Sequence, residues 1–110
     1  MLLTNKVTVV VPSTIGSDAA PADIVTGAVE YALANLARVA GGSTAVNATG
    51  AWIDSKGHIV REQVCNVYAY CTDAQLEWVV MAAKRVATET KEYMNQESVA
   101  IITNGTMEFI

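Results

Sequence analysis

The stretch from His58 to Val99 sets the plan of this chain. HIVREQVCNVYAYC reads as a long strand, TDAQLEWVVMAAKRVATETKEYM as a capped helix, and NQES as a polar turn that opens into a further strand. Along the strand, Ile59, Arg61, Gln63, Cys65, Val67, Ala69 and Cys71 share one face, and Val60, Glu62, Val64, Asn66, Tyr68 and Tyr70 the other. Neither face is cleanly apolar. That mixture predicts a sheet covered by helices on one side and by a partner subunit or a ligand on the other. In the helix, Thr72 and Gln75 form a capping box, Leu76, Val79, Val80, Ala83, Val86 and Ala87 make the 3.6-residue stripe, and the end is expected near Tyr93.

The flanking elements follow from equally local signals. KVTVVVP (Lys6 to Pro12) is β-branched and short, a strand pattern. STIGSDAA is read as a turn-rich loop, and Pro21 fits the first position of a helix from Ala22 to Ala40 that Gly41 and Gly42 end. STAVNATGAWI is expected to be a strand with a possible bulge at Gly50. DSKG turns it back into the long strand with Gly57 in the left-handed conformation, and Asn104-Gly105 is a type I′ signal into a closing strand, TMEFI. The order β-α-β-β-α-β-β predicts a two-layer α+β ferredoxin-like domain over residues 1–110, with both helices on one face of a mainly antiparallel sheet.

Composition narrows the function classes. Against eleven acidic residues stand seven basic ones, a net charge of −4 with no run of like charges. A basic face for a nucleic-acid polymer is therefore lacking. The hydrophobic fraction of 52% exceeds what a small two-layer monomer easily hides, which points to a homo-oligomer. Cys65 and Cys71 share one strand and cannot bridge within it, and VTVVVP is too short for a signal-peptide core, so a reduced cytoplasmic protein with no membrane segment is expected.

No catalytic signature accompanies these features. The lone histidine, His58, lies beside a turn, no zinc, EF-hand or phosphate-loop pattern occurs, and no metal or cofactor is expected. Glu62 and Glu97 are the available carboxylates, without a second titrating group beside either. Arg61, in mid-strand, must face solvent, an acid across the sheet or a ligand, whereas Arg38 and Arg85 read as solvated helix residues, with Glu89 as an i,i+4 partner.

GAWIDSKGHIVREQ, the segment TDAQLEWVVMAAKRVATETKEYMNQESVAII and the short closing strand together resemble the phage-encoded Thoeris anti-defence proteins of the first type. More distantly they resemble uncharacterised bacterial domains with similar strand segments. The resemblance implies a non-enzymatic sponge, a homodimer or homohexamer that binds glycocyclic ADP-ribose, and in some relatives cyclic oligonucleotides, in the cytoplasm of an infected bacterium. Its pocket would lie between protomers. Arg61 and Asn95 match the expected arginine and asparagine, Gln96 and Arg85 lie close to them in the layout, and Tyr93, Tyr68 or Trp78 could supply the stacking aromatic. No second arginine stands near the closing Glu108, Phe109 and Ile110. Two other classes stay open: a small tautomerase-like or ferredoxin-like enzyme acting on a small carboxylate, with Arg61 polarising it and Glu97 as base, and a structural assembly domain.

Overall fold

The β-branched run near the N-terminus becomes the strand on which the sheet is centred. The computed structural model describes every residue from Met1 to Ile110. β1 (Asn5–Pro12) is followed by β2 (Thr14–Ile15), β3 (Asp18–Ala19), α1 (Ala22–Ala40), β4 (Thr44–Ile53), β5 (Ile59–Cys71), α2 (Asp73–Tyr93), β6 (Ala100–Thr103) and β7 (Thr106–Phe109). The five-stranded sheet has the order β4-β5-β1-β6-β7, and every pairing in it is antiparallel. β5 is inserted between the strands joined through α1, and β1 between those joined through α2. This is the split ferredoxin-like plan with β7 added at one edge.

Val7, Val9 and Val11 of β1, Cys65, Val67, Ala69 and Cys71 of β5 and Ile101 of β6 face the helices and are buried. Across from them, the buried faces of α1 and α2 are small: Ala28, Ala32 and Leu36 from one, Val79, Ala82, Ala83, Val86 and Ala87 from the other. Small residues let the helices approach the sheet and each other closely, so the core is dense but thin. At its foot the buried Asn5 donates to Asp73 Oδ1 at 2.8 Å and accepts from Asn104 Nδ2 at 2.9 Å, tying β1 to the first turn of α2 and to the β6–β7 turn.

The local signals hold at most places. Thr72 and Gln75 form the reciprocal capping box, Gly41 caps α1 in the left-handed region at φ 97°, and Asn104 and Gly105 take φ 51° and 86° as a type I′ turn needs. Two expectations need correcting. STIGSDAA is a small hairpin, β2–β3, turning at Gly16-Ser17, because Gln96 Nε2 donates to the carbonyls of Thr14 (2.8 Å) and Met94 (3.1 Å) while the Gly16 amide donates to Met94 O at 2.9 Å. Gly50 makes no bulge. It pairs squarely with Glu62, and the β4–β5 register runs unbroken from Thr44↔Tyr68 to Ile53↔Ile59.

The β4–β5 hairpin outruns the rest of the sheet. β1 pairs with β5 only from Val64 to Cys71, so Ile59 to Gln63 are held by β4 alone and project roughly 17 Å beyond the sheet at the ordinary strand rise. Together with the 47 × 29 × 20 Å extents, this explains an accessible surface of 6650 Å² where about 5,900 Å² is usual for a monomer of this mass. No helix is long and apolar enough to cross a membrane.

Replacing Thr72 by Ala removes the side chain that accepts from the Gln75 amide, and should cost about 1 kcal/mol in urea unfolding, whereas Thr88→Ala, on the exposed side of the same helix, should stay within about 0.5 kcal/mol. Gln96→Ala should cost about 1–2 kcal/mol and speed hydrogen exchange at the Gly16 amide, which a residue serving only a ligand would leave unchanged.

Candidate functional site

Both helices lie on one side of the sheet, which leaves the opposite side without cover from this chain. Strand alternation assigns to this free face Lys6, Thr8 and Val10 of β1, Val46 and Trp52 of β4, the Val60-to-Tyr70 set of β5, Ile102 of β6, and Met107 and Phe109 of β7. Val46, Trp52, Tyr70, Met107 and Phe109 are each exposed by about half or more. These exposed apolar side chains share the face with Lys6, Thr8, Glu62 and Asn66, a mixture that suits a partner surface or a ligand.

Two polar constellations interrupt it. At the foot, the Tyr68 and Tyr70 rings meet edge to face at 5.8 Å, and Lys6 Nζ sits 4.3 Å above the Tyr68 centroid. Beside them, a hollow of about 500 Å³ is bounded by Met1, Leu3, the Gly41-Gly42 cap and both tyrosines. The cation on the Tyr68 ring comes from the chain itself, so that stacking position is already taken.

At the other end, on the projecting hairpin, Glu62 is half-buried between Val60 and Val64 and makes no ion pair or side-chain hydrogen bond. Directly across lies Gly50, where even a Cβ would come within 3.9 Å of the Glu62 side chain. Two residues along β4, on the same face, stands Trp52, within diagonal reach. Its unbonded oxygens stay open to solvent, so the carboxylate is available to a cation that approaches along this face. An indole face beside it favours such a cation, since tryptophan is the best aromatic for holding one.

The residues singled out from sequence fall in several places. Arg61 is exposed on the hairpin but points to the opposite side from Glu62. It lies across from Ala51, not from an acid, and makes no ion pair. Arg85 makes no ion pair with Glu89 and donates to Asn35 Oδ1 at 3.3 Å, while Glu89 accepts from the Tyr31 hydroxyl. That bond holds the Tyr31 phenol above its ordinary range, with smaller contributions from burial and the Glu89 charge. Tyr93 lines a groove between the helices with Tyr31 and Glu89. Asn95 is exposed at the exit of α2 with φ 49°, and Gln96 is occupied in stapling the β2–β3 hairpin. Tyr68 lies on the free face. No hydrogen bond joins Arg61 to Arg85, Asn95 or Gln96.

Other reactive groups are quiet. Burial pushes the Cys65 and Cys71 thiols up, the opposite of what a nucleophilic thiolate needs, and His58 is a turn residue whose amide donates to Asp54 Oδ1 at 2.9 Å. Sequence reasoning weighed Glu62 and set it aside for want of a neighbour. Once the DSKG turn fixes the register, Gly50 and Trp52 are that neighbourhood.

No family model matches the chain, and no curated protein matches it. Among solved structures, it is similar to a phage SAM lyase in complex with S-methyl-5′-thioadenosine, with a TM-score of 0.65 at 15% identity, covering 96% of this chain and 88% of that one. A phage SAM lyase in its apo state gives a TM-score of 0.64 at 16% identity, covering 96% of this chain and 87% of that one. The divalent ion tolerance protein CutA1 from Ehrlichia chaffeensis gives 0.53 at 12% identity, covering 93% and 79%. At these identities the likeness is one of fold, and it matches the two-layer architecture expected from sequence. It also corrects the expectation of a non-enzymatic protein: the same fold, over nearly its whole length, carries a lyase, so the lack of a base and a nucleophile is no ground for excluding catalysis.

Proposed function

We propose that this chain is a phage anti-defence enzyme that binds S-adenosylmethionine (SAM) and splits it to S-methyl-5′-thioadenosine, acting as a homo-oligomer whose further copies cover the free face. The observation that carries this reading is Glu62: half-buried, unpaired and next to Trp52 on an apolar face, in a fold shared with a SAM lyase solved with that thioether. Draining SAM would withdraw the methyl donor from every SAM-dependent step in the host, defence included.

SAM brings its own nucleophile. Its carboxylate oxygen attacks Cγ as the Cγ–S bond breaks, the electron pair goes to sulfur, and the products are neutral S-methyl-5′-thioadenosine and a five-membered amino lactone. No proton moves and no co-reactant is consumed. The protein's task is to fold the methionyl tail so that carboxylate and Cγ meet, the kind of positioning that can supply several kcal/mol of barrier lowering. Glu62 suits the α-ammonium, whose charge is the same before and after the step, so the grip persists in the transition state. The sulfonium loses its charge, and an aliphatic wall of Val60 and Val64 disfavours the charged ground state more than the transition state.

Incubation with SAM should yield S-methyl-5′-thioadenosine by chromatography. Glu62→Gln should lower kcat/KM about 10- to 100-fold with the circular dichroism spectrum unchanged, the range set by losing one charge-assisted hydrogen bond. Neither thioether nor binding heat with SAM, from folded protein, overturns the reading. So does saturable binding of glycocyclic ADP-ribose with no turnover of SAM, the outcome that Arg61 and the sequence resemblance would favour.

A further inference from the structure

On the other side of the sheet, the outer seam between α1 and α2 opens into a groove of about 470 Å³ lined by Gly27, Ala28, Tyr31, Glu89, Thr90 and Tyr93. Three of these residues are set in ways that packing does not explain. Gly27 lies inside α1 with an ordinary helical backbone, where glycine costs about 1 kcal/mol against alanine, yet a Cβ there would meet nothing within 4 Å. Neither conformation nor close contact requires it, and its bare backbone forms part of the groove wall, where a large side chain would stand in the open space. Thr90 is only 4% exposed, and its hydroxyl makes no hydrogen bond within the chain, unlike Thr88, which donates to the Lys84 carbonyl. No buried side-chain oxygen lacks a partner, so the Thr90 hydroxyl is reached from the groove. Glu89 makes no ion pair, although Arg85 and Arg38 lie near enough to act on Tyr31 through their charge. One lone pair accepts from Tyr31 and the others remain free.

The geometry points to a second ligand site here, one that takes a primary ammonium group carried on an apolar body. The ammonium places its donors on Glu89 and Thr90, and the Tyr31 and Tyr93 rings flank the body and attract the cation through their faces. The volume lies within the usual range for small-molecule pockets. The groove opens away from Glu62 and from the free face, so the site stands whether or not SAM is the substrate.

Phenethylammonium, titrated into the full chain and followed by amide NMR, should give saturable shifts centred on Gly27, Ala28 and Thr90. Phenylacetate, with the same ring and the opposite charge, should give none. Glu89→Gln should weaken phenethylammonium binding about tenfold or more, and Gly27→Leu should abolish it by filling the groove while leaving the fold intact or more stable. Thioether formation from SAM should be unchanged in Glu89→Gln, which separates this site from the lyase reading. Equal binding of both probes, shifts centred on Gly50 and Trp52, or undiminished binding in Glu89→Gln would each overturn the proposal.

Discussion

β1 is hydrogen-bonded on both sides, and the arrangement of the molecule follows from that. Its two neighbours, β5 and β6, bracket the α2 crossover, while the α1 crossover spans β5. Crossovers of one hand place both helices on the same side. Val7, Val9 and Val11 are then fully buried beneath them, and the same strand presents Lys6, Thr8 and Val10 to a side that no element of the chain covers. The one-sidedness is a topological consequence of where β1 lies, and the apolar free face is its chemical record.

Much of this was legible because its causes are local. A capping box, an Asn-Gly turn and a glycine cap each act within five residues, and the sequence states them without reference to the rest of the fold. The overhang was not legible in the same way. How far β5 outruns β1 depends on the register between strands more than fifty residues apart, so a mid-strand arginine leaves solvent, an acid across the sheet and a ligand all open. At Arg61 there is no core to avoid, since β1 ends opposite Val64 and the side chain is exposed. Gln96 and Arg85 have uses within the subunit that the sequence does not reveal. An amide that staples a hairpin and a guanidinium bonded to Asn35 have the same sequence signature as groups waiting for a phosphate.

Glu62 shows the converse. Its significance rests on a residue with no side chain, Gly50, directly across the ladder, and on an indole two places further along. A search for paired titrating groups passes over the site proposed here, because recognition of a cation would need only a single carboxylate and a suitable wall. The same holds for chemistry: when the substrate holds both the nucleophile and the leaving group, the sequence of its enzyme need contain neither.

The projecting hairpin has a mechanical side as well. Between Ile59 and Gln63 two strands are bonded only to each other, and an isolated ribbon of this kind is marginally stable in water and free to bend and twist. A carboxylate mounted on it has a defined direction only when something outside the subunit braces the ribbon. If the proposed copies associate over the free face, placement of Glu62 becomes a property of the assembled state and obeys mass action: below the concentration of association the subunit would keep its fold while the carboxylate loses its aim.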